Sequence, residues 1–254
     1  MQLTEQLLTQ IAWAWAALAV ILIPSQVINK APYGRHISTK WGFAIPNKLG
    51  WVIMEIVSLV VLLSCFFDGE NKKSPMAIFL VSLWSLHYIN RSFIYPFRTK
   101  TTGKKIPLTI VLFAMFFNSV NASLNGLFLG SFLQQPTWDS ITIFRVGFGF
   151  SLFAAGAFIN IKSDNILLAL RKPGETGYKT PEGFLFKYLS CPNLVGEMVE
   201  WIGFAIIAWN IPALSFAVWT IANLAPRAIH HHQWYKNTFA DYPKNRKALL
   251  PFLY

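Results

Sequence analysis

Seven apolar runs divide this chain, at about Leu7–Ile28, Trp51–Phe67, Met76–Phe97, Ile106–Leu129, Ile141–Ile161, Leu194–Trp209 and Ile211–Ala225. Most approach or exceed the ~20 residues that a helix needs to cross a ~30 Å hydrocarbon core. In that solvent each backbone N–H and C=O must be satisfied within the protein, so only helices and closed barrels span it. Runs this long are helices. The second and seventh are short, and are expected to tilt little or to end in buried protein. Asn210 and Pro212 mark the only break between the sixth and seventh, which predicts a tight helical hairpin. The expected fold is all-α: a multi-pass membrane protein with seven transmembrane helices and a single domain over 1–254.

Composition agrees. Hydrophobic residues make up 54% of the chain and charged ones 13%, against about 25% charged in soluble domains. Ten Trp and 22 Phe suit interfacial aromatic belts. The first run lacks a basic leader and a small-residue cleavage site, so it reads as a span rather than a removed signal. No internal repeat, low-complexity tract or inter-domain linker interrupts the sequence.

The net charge of +11 would suit a nucleic-acid binder, but its distribution points elsewhere. Of 22 Lys and Arg, 18 fall in the segments 29–50, 98–105, 162–193 and after the last run. All four segments lie on one side of a seven-span chain. The positive-inside rule then puts the N-terminus outside and the C-terminus in the cytoplasm. The surplus is a topology signal, and no nucleic-acid partner is expected. Cys65 and Cys191 fall at opposite ends of their runs, so neither a disulfide nor a metal thiolate site is expected.

Polar side chains inside apolar runs are costly and mark sites. Asn193, Glu197 and Glu200 stand at i, i+4 and i+7, which puts them on one helical face. Asn160 and Asp164 are spaced i, i+4 at the end of the fifth run, with Arg171 two turns on. Arg227, His231 and Tyr235 repeat the spacing after the seventh. Taken singly, each residue could serve as interhelical glue. Three stripes at one membrane depth favour a polar pocket. The loop 171–183, rich in Pro and Gly, would cover it.

A second constellation lies deeper. Glu55 is the one acidic residue in WVIMEIVSLVVLLSCFF, and Tyr88 lies on the next run. Apolar surroundings disfavour a carboxylate, so a protonated Glu55 is expected. Beside a tyrosine hydroxyl it would form a two-donor clamp for a carbonyl oxygen, with pairing to His87 as the structural alternative. Other chemistries fit poorly. His230, His231 and His232 diverge by ~100° each on a helix and cannot share one ion, so no metal site is expected. Gly147-Phe148-Gly149-Phe150 lacks the third glycine and the preceding strand of a dinucleotide fingerprint. Gly126 and Gly130 form a GxxxG, read as a packing motif.

The segments NIKSDNILLALRKPGETGYKTPEGFLFKYLS, NLVGEMVEWIGFA and RAIHHHQWYKNTFADYPKNRKALLPF, together with LHYINRSFIY and WVIMEI, are the most specific of the chain. From APYGRH (31–36) to the last residue the chain resembles the steroid 5α-reductase family, the 3-oxo-5α-steroid 4-dehydrogenases. Met54 stands where that family usually has glutamine. The resemblance implies NADPH as hydride donor and a 3-oxo-Δ4 steroid as acceptor. Tyr33, Asn160, Asp164, Arg171, Tyr178, Asn193, Glu197, Arg227, His231 and Tyr235 would then line the cofactor site. Glu55 and Tyr88 would hold the steroid 3-carbonyl, with Trp51 and Tyr95 walling the apolar slot. About 1–130 would form the steroid side and about 131–254 the NADPH side. Membrane lipids are the expected surroundings, and a monomer is compatible with the sequence. The competing readings are a sterol or enoyl-lipid double-bond reductase, an isoprenylcysteine-type methyltransferase and a non-enzymatic lipid carrier.

Overall fold

The structure, a computed structural model, describes residues 4–30, 41–71, 73–101, 103–171, 175 and 177–249. Its helices follow the apolar runs. They are α1 (Glu5–Ile28), α2 (Asn47–Asp68), α3 (Pro75–Ile89), α4 (Tyr95–Arg98), α5 (Leu108–Ser131), α6 (Ser140–Ala169), α7 (Pro192–Ala208) and α8 (Ile211–Thr238). Among the described residues α1, α2, α5 and α6 are long and apolar enough to cross a membrane. Alone, α3 and α7 have 15 and 17 residues, while the 28 residues of α8 end in a polar half. The second run, short in the sequence, gains a turn from Asn47 and reaches 22 residues.

One expectation needs amending. The fold is mostly but not wholly helical: β1 (Ala44–Pro46) pairs antiparallel with β2 (Lys105–Pro107), with Ile45 opposite Ile106. This short ladder ties together the chain segments that enter α2 and α5. A second departure lies between α3 and α4, where Asn90–Ile94 forms a π turn. Pro96 follows after Tyr95 and has no N–H to return to the preceding turn, a common cause of such a widening.

Glycine sets the tightest helix contacts. On the α2–α5 seam, a Cβ on Gly126 would stand 2.7 Å from Leu62 O, and one on Gly130 2.6 Å from Phe66 O. The GxxxG therefore packs backbone on backbone, as its spacing predicts. The α6–α7 seam uses a seven-residue spacing instead. A Cβ on Gly203 would come 2.6 Å from Gly149 O, and one on Gly196 2.7 Å from Gly156 O. At the expected hairpin, Trp209 ends α7 in the left-handed region at φ 51°. Asn210 Oδ1 then accepts the Ala213 N–H at 2.9 Å and starts α8. Aromatic rings fill the centre: Trp84 of α3 lies 4.9 Å from Trp201 of α7 and 4.6 Å from Phe216 of α8. Leu8, Ala12, Ala16 and Ala19 are the buried face of α1, and Trp15 packs 4.6 Å from Trp219 of α8.

Candidate active site

The α6–α7 glycine seam brings two of the polar stripes into contact. Asn160 Nδ2 donates to Asn193 O at 3.0 Å and to Glu197 Oε2 at 3.3 Å. Asn193 Nδ2 donates in turn to Asp164 Oδ1 at 3.0 Å. Because both helices repeat polar groups one turn apart, each side chain meets a partner on the facing helix rather than on its own. Arg91, from the π turn, completes the set with Nη1 3.5 Å from Asp164 Oδ2.

A cavity of about 270 Å³ adjoins this network. Asn193 of α7 and Arg227, His231 and Tyr235 of α8 line it, with Arg171 and Tyr178 from the segment after α6. Lys100, Lys104 and Lys179 add further positive charge to its wall. The Arg171 guanidinium lies 5.5 Å and Lys104 Nζ 5.0 Å from the Tyr178 ring, and Lys100 Nζ donates to Arg171 O. Arg171 Nη1 is buried without a hydrogen-bond partner among the described residues. A buried, unpaired guanidinium nitrogen in a basic cavity fits a polyanionic ligand, the pyrophosphate of a dinucleotide among them.

A second cavity, of about 310 Å³, lies beside the first. Glu55 and Tyr88 line it, with Met54, Ile110, Phe117 and Trp201 as apolar wall. Arg91, Glu197 and Arg227 are further charged groups there, so that carboxyl groups and guanidiniums are both present. Tyr88 is buried and Glu55 half-buried. Trp51 and Arg227 border both cavities. The Trp51 Nε1–H is buried and unpaired among the described residues. The two cavities thus differ in chemistry and share a wall. Their linings draw on both halves of the chain.

Most of the residues singled out in the sequence come together here, with four differences. Glu197, expected at the cofactor, lines the second cavity with Glu55. Tyr95 lines the polar cavity, not the one with Glu55, and packs on Trp51 at 5.6 Å. Glu200 leaves the stripe: it is 2% exposed and meets His87 Nδ1 at 2.9 Å, behind Tyr88 and Trp201. Tyr33 lies outside the described residues. Sequence reasoning missed Arg91, which lines the second cavity. Its guanidinium stacks 5.0 Å from the Trp51 ring and 4.8 Å from that of Tyr95. The clue was present, since Arg91 is the one cation within the third apolar run.

Below the cavities, the chain after α8 is pinned by a bridge between Leu189 and Lys247. Ser190 Oγ sits 2.6 Å from both His232 Nδ1 and Tyr242 Oη. Tyr242 stacks on Tyr235 at 5.3 Å and so backs the polar cavity. Burial, with help from Lys236 and Lys247, holds the His232 imidazole below its ordinary pKa. Burial likewise raises that of Tyr242.

The family model for 3-oxo-5-alpha-steroid 4-dehydrogenase matches residues 104–254. The chain belongs to the 3-oxo-5-alpha-steroid 4-dehydrogenase family. It is 39% identical over 260 residues to 3-oxo-5-alpha-steroid 4-dehydrogenase 1 of Bos taurus, covering 100% of both chains. It is 40% identical over 230 residues to steroid 5-alpha-reductase DET2 of Solanum lycopersicum, with 88% of each covered. The 3-oxo-5-alpha-steroid 4-dehydrogenase 1 of Homo sapiens is 35% identical over 253 residues, 98% of this chain and 96% of the relative. Members of this family are oxidoreductases, and this chain is one of them. Four apolar helices of spanning length agree with an integral membrane protein.

Proposed function

We propose that this protein reduces the Δ4 double bond of a 3-oxo-Δ4 steroid to the 5α-dihydrosteroid, with NADPH as the electron donor. The observation that carries the reading is the shared wall: a basic cavity meets, at Trp51 and Arg227, a second one that combines the Glu55 and Tyr88 donors with apolar wall. The names of the relatives supply the steroid and the 5α outcome.

Bound in the basic cavity, NADPH supplies the hydride. Arg171, Arg227 and the neighbouring lysines neutralise its phosphates, while Asn193, His231 and Tyr235 orient it. The Glu55 acid and the Tyr88 hydroxyl donate to the steroid 3-carbonyl oxygen. As the β-carbon of the enone becomes saturated, the π electrons move toward that oxygen. The two donors hold the enolate that forms, and a proton at the α-carbon completes the product. Donors placed ahead of developing charge are among the strongest catalytic devices. The apolar part of the surrounding wall, with Ile110, Phe117 and Trp201, limits the water that reaches the carbonyl.

The reading includes seven spans, with the N-terminus outside and the C-terminus in the cytoplasm. The basic cavity then faces cytosolic NADPH, and the steroid comes from the bilayer. Residues before about 130 supply most of the steroid side; α7 and α8 close it.

The test is oxidation of NADPH by the detergent-purified protein, with and without progesterone, with product stereochemistry determined. Steroid-dependent oxidation giving the 5α product is expected. Tight NADPH binding without turnover would move the substrate to another enone or enoyl lipid. Absence of NADPH binding would overturn the reading.

A further inference from the structure

Ser58 lies one turn past Glu55 on α2 and is 0% exposed. Its Oγ accepts a hydrogen bond from Trp84 Nε1 at 3.2 Å. An indole N–H can only donate, so the direction of that bond is fixed and the Ser58 proton must go elsewhere. A helical serine usually sends it to the carbonyl four residues back. Ser82, Ser119 and Ser151 do so, each at 2.8 Å. Ser58 makes no such bond among the described residues. The carbonyl it would use, Met54 O, instead accepts Asn118 Nδ2 at 2.6 Å. Tyr88 stands beside this pair: its ring stacks on that of Trp84 at 5.4 Å and 25°, and its hydroxyl is within electrostatic reach of Ser58.

We propose that Trp84 and Ser58 are positioning residues that fix the direction of the Tyr88 hydroxyl. The Trp84 N–H donates to Ser58, the Ser58 O–H donates to the Tyr88 oxygen, and the Tyr88 proton is left to point into the second cavity. Three donors aligned head to tail polarise one another and strengthen the last bond. The arrangement also carries specificity. With its oxygen already occupied, Tyr88 offers a proton and no acceptor. A 3-oxo group is satisfied by that, whereas a 3-hydroxyl group can place its proton only on the remaining acceptor capacity of Glu55 and loses one donor–acceptor pair. The inference rests on the proposed role of Tyr88 as a carbonyl donor.

The test is a double-mutant cycle on the full-length protein with NADPH and progesterone, using Ser58→Ala, Tyr88→Phe and the pair. Ser58→Ala is expected to lower kcat about tenfold, the rate equivalent of one ordinary hydrogen bond, with KM little changed. In the Tyr88→Phe background the same substitution is expected to do nothing more. Ser58→Cys, which keeps a weaker donor, is expected to fall between Ser58→Ala and wild type. Ser58→Ala should also narrow the preference for binding progesterone over its 3-hydroxy analogue, since Tyr88 is then free to accept. Should Ser58→Ala fail to fold, Trp84→Phe removes the fixed donor while keeping a ring, and the same cycle applies. A loss that persists undiminished without the Tyr88 hydroxyl, or an unchanged kcat, overturns the proposal. Wild-type turnover by Tyr88→Phe would instead overturn the underlying role of Tyr88.

Discussion

Gly156 of α6 and Gly196 of α7 face each other with their backbones in contact: a Cβ on Gly196 would stand 2.7 Å from Gly156 O and 2.6 Å from Asn160 N. The cofactor-side network begins at that same Asn160, so the packing of two helices and the geometry of the site are one arrangement. Gly196→Ala must push the helices apart. We expect a loss of about 1–3 kcal/mol in stability, the usual cost of overpacking, and weaker NADPH binding. Thermal unfolding in detergent with and without NADPH measures both. Unchanged unfolding would mean that the seam is softer than its contacts indicate.

Glu55→Gln keeps a donor at the carbonyl oxygen and Glu55→Ala does not. The alanine variant is expected to lose about 10²–10³ in kcat, as when one oxyanion donor is removed, and the glutamine variant less. Equal losses in two well-folded variants would refute the neutral-donor role of Glu55.

Asn193→Ala should weaken NADPH binding more than steroid binding, since Asn193 lines the basic cavity and not the second one. Arg227→Ala should do so through the charge it offers the phosphates, although it borders both. Titrating each ligand against each variant gives the order directly. A larger effect on the steroid would exchange the proposed occupants of the two cavities.

The buried pair of His87 and Glu200 joins α3 to α7 with side-chain exposures of 5% and 3%. Removing one partner strands the other in an apolar interior. Glu200→Ala is therefore expected to cost about 3–5 kcal/mol, read as a lower unfolding temperature even without ligands. A variant as stable as wild type would show that the pair contributes little.

His232 gives a pH dependence of known sign. Its folded pKa lies below its ordinary value, so its contribution is present above the unfolded pKa of about 6.5 and is lost as pH falls toward the folded value. Between about pH 7.5 and about pH 5.5, the wild type should lose more stability than His232→Gln. Parallel losses would assign the pH dependence to other groups.

How much of this was legible beforehand depends on range. The helices were readable because membrane-length apolar runs leave the backbone one choice. The stripes of Asn160 with Asp164 and of Asn193 with Glu197 were readable because a spacing of four is a local property. Pairing across helices was not. Glu200 sits on the correct spacing, yet its partner is His87, 113 residues away in sequence. Arg91 was overlooked because its role depends on a π turn, which has no period of its own. The seven-residue glycine spacing of α6 and α7 was likewise present in the letters, but it acquires meaning only when the two helices are set antiparallel. The strands β1 and β2 are three residues each, too short for alternation to show.

Trp51 and Arg227 stand in the partition between two cavities. A side chain held in common cannot adjust to one occupant without altering what the other finds. The two ligands are thus thermodynamically linked, and linkage is symmetric: whatever factor the first applies to the affinity of the second is returned in full. Substitutions in that partition will change the conversation between the ligands as well as the hold on either.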